Sequence, residues 1–356
     1  MKNITLTLLL LVIIFAFKSD RDEEGMFLMS HLSSLDLKKA GLEIDVDEIY
    51  NEEKPALVNA LVRLGGCTGS FISESGLIIT NHHCVFSSVA GASSSENNYL
   101  ENGFYAAKKE QEIKTTLPVR ITQSYVDVSE LVLADISETT DALLKRDIIS
   151  DNIKAIVEKE QAKYPNLTVE VSEMLVGKSY TLFRYKTLND VRLVYVPPKN
   201  IGKFGGESDN WEWPRHTGDF SMFRVYSDAN GNPAEYSTAN IPLKPKHHLP
   251  VNIKGVKEND FAMILGYPGR NNRWLPASGI EQNVKFAYPA WVEASKTSMD
   301  AMKKYMDKDD AVRLNYASKY AGIANYWKNR QGMIDALTEF NTAVSKAKNE
   351  AKFNAW

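Results

Sequence analysis

Residues 66–84, with the sequence GCTGSFISESGLIITNHHC, are the clearest structural signal in the chain. Two short apolar runs, at 70–72 and 76–80, flank a Ser-Glu-Ser segment that favours a turn. Short runs rich in Ile, Phe and Thr, separated by turn residues, are typical of a β-hairpin. We therefore predict a hairpin that ends at two adjacent histidines, His82 and His83.

The same stretch contains both cysteines of the chain, Cys67 and Cys84. In an exported protein, which the N-terminus indicates, a cysteine pair flanking two apolar runs is typical of a disulfide. Two free buried thiols are the alternative. Together with His82 and His83, the cysteines lack the C-x-x-C or H-x-x-x-H spacing by which neighbouring ligands reach one metal ion. We predict the disulfide, and we predict no metal.

Residues 205–220, GGESDNWEWPRHTGDF, crowd two tryptophans, a proline, a histidine and an aspartate together, which is unusual for a plain structural loop. The tryptophans as core aromatics and Asp219 as a solvated turn residue are the alternative. Asp219 directly precedes an alternating run at 220–226, where a strand would hold a carboxylate rigidly toward His83. Asn210 beside Trp211 offers a polar group next to an aromatic wall, which suits the free amino terminus of a peptide.

The composition indicates a globular protein but does not indicate which function it has. The 356 residues are 44% hydrophobic and 24% charged, as in ordinary globular proteins, and the length allows two or three domains. A formal net charge of -3, with no basic stripe, argues against a nucleic-acid partner.

The N-terminus predicts export. Lys2 is followed by an apolar run from Ile4 to Phe17, which has the length of a signal-peptide core rather than of a membrane span. A small-x-small cleavage site is missing, so an uncleaved anchor is the alternative. A buried N-terminal helix fits less well because no polar face interrupts the run. We predict a signal peptide at 1–18, a periplasmic or cell-envelope location and no stable membrane partner.

The rest of the chain mixes β-like runs with helical segments. Strands are predicted at 167–171, 191–195, 220–226 and 260–265, a helix at 139–164, and a surface excursion at 85–115, where Ser, Gly and Asn are frequent. Helical spacing continues from residue 283 to Trp356.

The two motifs together resemble the bacterial exopeptidases of the dipeptidyl-peptidase seven and eleven family. The segments that carry the resemblance are 80–84 (TNHHC) and 210–219 (NWEWPRHTGD), with support from 24–27, 98–105, 266–269 and 272–273. The resemblance runs from about Glu24 to the C-terminus. It implies a chymotrypsin-like double β-barrel with a large helical domain inserted between the barrels.

The resemblance also implies roles for individual residues. The catalytic base falls on His83 rather than on His82, and the orienting acid falls on Asp219. Contact with the substrate amino terminus falls on Asn210, assisted by Trp211. Such enzymes are exported, need no cofactor, and release dipeptides from the free N-terminus of oligopeptides. A homodimer of the full-length enzyme is left open.

One departure concerns the nucleophile, which the family carries in a glycine-flanked serine motif far downstream. This sequence contains no G-x-S-x-G or G-N-S-G-type segment, and Ser208 is the nearest imitation. We therefore expect an N-terminal fragment of a serine dipeptidyl-peptidase that is inactive alone. An exported, non-catalytic peptide-binding module is the alternative, and a structural envelope protein is a third. The side-chain preference next to the cleaved bond is not encoded in these residues.

The predicted fold is mostly β with helical parts. It comprises the first half of a double β-barrel peptidase and the start of an inserted helical domain. Its expected boundaries are a signal peptide at 1–18, a peptidase domain at 19–282 with a helical insertion near 139–164, and the beginning of a helical domain at 283–356.

Overall fold

The computed structural model describes residues 26–51, 53–137, 140–206, 214, 216–269 and 272–356. The predicted signal peptide at 1–18 lies outside these residues, as do Asn210 and Trp211. Within the described ranges, no helix is long and apolar enough to cross a membrane.

The strands range in length from 2 to 10 residues. They are β1 (Leu61–Leu64), β2 (Cys67–Phe71), β3 (Leu77–Thr80), β4 (Phe104–Tyr105), β5 (Ile113–Lys114), β6 (Val119–Asp127), β7 (Thr168–Leu175), β8 (Ser179–Leu188), β9 (Val191–Val196), β10 (Ser221–Ser227) and β11 (Ile241–Pro242).

The helices range from single turns of 4 residues to a helix of 30 residues. They are α1 (Val46–Ile49), α2 (His82–Ala92), α3 (Tyr99–Asn102), α4 (Ser129–Val132), α5 (Ala142–Lys163), α6 (Lys199–Gly202), α7 (Ala277–Gln282), α8 (Tyr288–Met306), α9 (Asp310–Glu339) and α10 (Thr342–Ala355). Short 3-10 turns occupy Met29–Ser34, Leu57–Ala60 and Lys109–Gln111, and a π-helical turn at Asn283–Ala287 joins α7 to α8.

Contacts divide the chain into two compact units, and the smaller contains the described residues up to Val58 together with Val251–Leu265. Its core consists of buried leucines and an isoleucine, with apolar residues of the second segment packed against them: Leu32, Leu37, Leu42 and Ile49, then Phe261, Met263 and Leu265. The prediction of a strand at 260–265 is wrong, because no strand is formed there. Alternation correctly marks every second residue as the more buried one, but these residues pack against the apolar cluster of the N-terminal segment and pair with no neighbouring strand.

The larger unit, Asn59–Pro250 with Gly266–Trp356, contains one antiparallel sheet. The strand order is β4-β9-β10-β3-β2-β1-β6-β8-β7, with β5 also paired to β9 and β11 to β10. The pairings among the described strands do not join β4 to β7, so this sheet is open rather than closed.

The predicted hairpin is confirmed, because β2 and β3 pair antiparallel across the Ser-Glu-Ser turn. Ser70 pairs with Ile79 and Phe71 with Ile78, so the apolar residues of both strands meet. Gly76 immediately precedes the second strand and has a φ of 69°, a backbone region that glycine adopts most readily. A Cβ at this position would lie only 2.6 Å from the Val225 carbonyl oxygen. The turn therefore requires glycine.

The main core lies on one face of this sheet and extends into helices. Its fully buried strand residues include Val62, Phe71 and Phe223. Helix α2 adds Val85 and Val89 to the same cluster. The prediction of a surface excursion over 85–115 is therefore wrong at its start, because the first helix of that segment belongs to the core.

Helices contribute more of the described chain than the sequence suggests. More residues lie in helices than in strands, so the fold is mixed rather than mostly β. Helix α5 falls within the predicted helical segment, and its Ile149, Ile153 and Ile156 pack against a second cluster of buried residues. From α7 onward the described chain is almost entirely helical.

Removing the Phe223 side chain should test the packing of the sheet. Phe223 is 0% exposed, so Phe223→Ala should lower the free energy of unfolding by about 3–5 kcal/mol. Phe340→Ala is the matched control, because Phe340 is 75% exposed, and should change it by less than about 0.5 kcal/mol. Urea unfolding of the two variants measures the difference. Equal effects would contradict the burial of Phe223.

Candidate active site

The candidate site begins where strand β3 passes into helix α2. The strand ends at Thr80, and Asn81, with φ -69° and ψ 142°, is the extended residue before the helix. His82 and His83 are therefore the first two residues of α2, rather than the end of the hairpin. Successive helical residues point about 100° apart, so neighbouring histidines can face different surroundings.

His82 points into the protein. It is 1% exposed, its Nδ1 lies 3.2 Å from the Ser221 hydroxyl, and its ring meets that of Phe86 edge to face. Burial lowers the pKa of His82 to about 4, because the attraction of the Asp219 carboxylate, which acts in the opposite direction, is the smaller effect, and the charge of Lys203 adds to the lowering. The imidazole is therefore neutral near pH 7.

His83 points the other way, and its side chain is 64% exposed. Its Nδ1 lies 2.7 Å from Asp219 Oδ2, and its backbone N–H donates to Asp219 Oδ1 at 2.9 Å. Asn81 Nδ2 donates to Asp219 Oδ2 at 3.3 Å and to the Asp219 carbonyl oxygen at 3.2 Å. Four contacts thus hold this carboxylate and its backbone against the start of α2.

The carboxylate also selects the tautomer of His83. An ionised carboxylate only accepts hydrogen bonds, so the neutral imidazole places its proton on Nδ1 and leaves a lone pair on Nε2. This assignment is inferred from the hydrogen-bond partners. A histidine held in this way can accept a proton at Nε2 while the carboxylate stabilises the resulting positive charge.

A disulfide joins the hairpin to the helix beside this histidine. Cys67 of β2 is bonded to Cys84, the third residue of α2, and the two Cα atoms are 6.1 Å apart. Cys84 Sγ lies 3.5 Å from His83 Nε2. The disulfide therefore anchors the first turn of α2, which contains both histidines.

A pocket of about 480 Å³ opens at the two histidines. Its walls come from four segments: the first turns of α2, residues 202–206 including Lys203, the Thr217–Asp219 stretch, and the middle of α9. Asn210 and Trp211, the predicted substrate-binding residues, lie outside the described residues. In sequence they fall between Gly206 and Asp219, both of which line the pocket.

The contribution of α9 is the part of the site that the sequence motifs miss. The helix lines the pocket with Ser318, Ala321, Gly322 and Asn325. These positions follow the i, i+3, i+4, i+7 spacing of one helix face, and they are all small or polar. A face of this kind inside an otherwise mixed helix is the signal that could have identified them.

The comparisons with known proteins agree with one another. A family model described as Peptidase S46 matches residues 22–356. The chain is 51% identical over 341 residues to a dipeptidyl-peptidase 7 from Capnocytophaga gingivalis, a match that covers 94% of this chain and 48% of that protein. It is 40% identical over 349 residues to an Asp/Glu-specific dipeptidyl-peptidase from Flavobacterium psychrophilum, with 97% and 49% covered.

Solved structures give the same result for the fold. The crystal structure of Porphyromonas endodontalis DPP11 in complex with the dipeptide Arg-Asp is similar to this chain with a TM-score of 0.84 at 36% identity. The similarity covers 94% of this chain and 49% of that one. The chain thus spans about half the length of the relatives that it matches.

The low pKa of the buried His82 can be tested by NMR titration. The imidazole signal that His82→Gln removes should keep its neutral position down to about pH 5, because burial lowers its pKa to about 4. Since the unfolded chain binds this proton near pH 6.5, His82 should also make the fold less stable as the pH falls from about 6.5 toward 4. A His82 signal that titrates near pH 6.5 would contradict its burial.

Proposed function

Because the chain belongs to the Peptidase S46 family, we propose that it supplies the base and the orienting carboxylate of a serine exopeptidase. In this proposal the complete enzyme releases dipeptides from the free N-terminus of oligopeptides. The observation that carries the proposal is the 2.7 Å contact between His83 Nδ1 and Asp219 Oδ2, beside an open pocket. The names of the relatives, which are dipeptidyl-peptidases, support the same reaction.

In the proposed mechanism His83 is the general base and then the general acid, and Asp219 supports it in both steps. His83 Nε2 takes the proton of a serine hydroxyl as the oxygen attacks the carbonyl of the second residue. Asp219 keeps His83 in the required tautomer and stabilises its charged form. His83 then gives the proton to the leaving amine. No cofactor is needed for these steps.

Two further parts of the mechanism rest on the sequence alone. We assign Asn210 and Trp211 to the amino terminus of the substrate, so that only the second peptide bond reaches the nucleophile. We place the serine itself, and the donors that stabilise the oxyanion, outside residues 1–356, in the portion that the relatives have beyond this match. The open sheet of the larger unit would then contribute strands to the first barrel of a chymotrypsin-like pair, with the helical region from residue 283 beginning an inserted domain.

The proposed location is the periplasm or the cell envelope. The apolar run from Ile4 to Phe17 supports export. The Cys67–Cys84 disulfide supports it independently, because disulfides persist in oxidising compartments.

The purified chain should not hydrolyse dipeptidyl substrates by itself. Base and carboxylate have nothing to activate without a nucleophile and an oxyanion site. A fluorogenic dipeptidyl amide, incubated with the chain at high enzyme concentration, should show no release above buffer. Clear turnover that His83→Ala abolishes would contradict the placement of the serine outside these residues.

A chimera tests whether this chain supports dipeptide release when the rest of the enzyme is present. This chain replaces the matching half of the Capnocytophaga gingivalis dipeptidyl-peptidase 7, and the intact relative is assayed in parallel as the positive control. The chimera should release dipeptides from a free N-terminus and should leave an N-acetylated substrate intact. Asp219→Asn should lower its kcat by about 10⁴-fold, because the imidazole loses its tautomer.

Matched variants show whether the activity of the chimera depends on the proposed base. His83→Ala should also abolish turnover, whereas His248→Ala, which changes a histidine that does not line the pocket, should not. Each variant is compared with the parent by thermal unfolding, so that misfolding is recognised. A folded chimera that is inactive, or that remains active without His83, would contradict the proposed function.

A further inference from the structure

The disulfide and His83 form a cluster whose atoms are spaced like the ligands of a metal ion. Among the described residues, side-chain atoms of Cys67, His83 and Cys84 all lie within 4.8 Å of one another. His83 Nε2 and Cys84 Sγ are 3.5 Å apart. A nitrogen and a sulfur bound to one tetrahedral zinc ion are also roughly 3.5 Å apart, given the usual Zn–N and Zn–S distances.

We propose that, once the Cys67–Cys84 disulfide is reduced, the two thiolates and His83 Nε2 bind a zinc-type divalent cation. A phosphine reductant takes the disulfide to two thiols and becomes a phosphine oxide, with its oxygen atom taken from water. Each thiol then releases its proton as its sulfur binds the cation. Water fills the fourth position of the tetrahedron.

Backbone placement allows the sulfurs to reach a shared ion. Two sulfurs on one tetrahedral zinc ion lie roughly 3.8 Å apart. Cys67 and Cys84 have Cα atoms 6.1 Å apart, so rotation of the side chains gives that separation without moving the strand or the helix. The 64% exposure of the His83 side chain leaves a path from solvent to the cluster.

The contact with Asp219 also orients His83 for binding a cation. Metal-bound histidines usually donate their other ring N–H to a carboxylate, which fixes the ring and makes the ligating nitrogen more basic. Asp219 Oδ2 holds His83 Nδ1 in this arrangement at 2.7 Å and leaves Nε2 as the ligating atom.

The spacing along the sequence does not reveal this cluster. His83 and Cys84 are adjacent, and Cys67 lies 17 residues before Cys84, so no metal-binding repeat is visible. The hairpin brings the distant cysteine to the start of α2. If the proposed function holds, the cation would also occupy the lone pair that accepts the serine proton, and reduction in the presence of zinc would inhibit the enzyme.

Cobalt binding to the purified chain tests the site without any assay of activity. The chain is reduced anaerobically with a water-soluble phosphine, desalted, and titrated with Co²⁺ as a spectroscopic substitute for zinc. Reduced chain should bind one Co²⁺, with thiolate-to-cobalt charge-transfer bands and the intense visible bands of a tetrahedral ion. Zn²⁺ should displace the cobalt, and the oxidised chain should show neither set of bands.

Variants separate this site from adventitious binding. His83→Ala should weaken Co²⁺ binding to the reduced chain by more than tenfold, and Asp219→Asn by about 10- to 100-fold. A Cys67→Ser/Cys84→Ser double variant should lose the charge-transfer bands, and His248→Ala should match the parent.

Near-UV circular dichroism, recorded on the same samples, shows whether the reduced chain stays folded. Binding that is unchanged by His83→Ala would overturn the proposal. So would the absence of cobalt bands, or bands that develop only as the near-UV signal is lost.

Discussion

The pairing of strand β3 with strand β10 is the contact on which the candidate site depends. Thr80 pairs with Ser221, so Asn81 and His83 come within reach of Asp219 although 136 residues separate His83 from Asp219. Both strands lie inside the sheet, with β2 and β9 on their outer sides, so neither is free to shift. A slip of one residue would also turn the buried face of β10 toward solvent, and burial of that face therefore fixes the site's register.

The two adjacent histidines at the start of α2 have very different surroundings. Their side chains point about 100° apart, so one helical turn holds a buried imidazole and an exposed one. His82 fills space beside Ser221 and Gly202, where an added Cβ would lie 2.9 Å from the His82 ring. That packing fixes the rotation of the helix, and the rotation in turn directs His83 toward Asp219. In the proposed mechanism, His82 therefore has no catalytic role of its own but orients His83, the base.

Local signals in the sequence were enough for the hairpin, for helix α5 and for the long helical region after residue 283, because periodicity and turn residues act over a few positions. They failed at 260–265 and at the start of 85–115, where burial depends on partners far away in sequence. The pairing of His83 with Asp219 was expected from the position of Asp219 before an alternating run and from the family motifs. The wall supplied by α9 was missed for the same physical reason, since Gly322 and Asn325 lie more than 100 residues beyond Asp219.

The exposure of His83 and the closeness of the disulfide belong together. In the proposed mechanism the base keeps Nε2 open to a substrate. The imidazole of His83 is accordingly not held by burial, and its position comes from contacts on the other side of the ring. Asp219 supplies those contacts at Nδ1, and the Cys67–Cys84 bond holds the backbone of the same helical turn. The same arrangement leaves an accessible nitrogen with two sulfurs beside it. In the oxidised chain the sulfurs are bound to each other and anchor the helical turn. In the proposed reduced state, a cation held by the two thiolates would occupy the Nε2 lone pair.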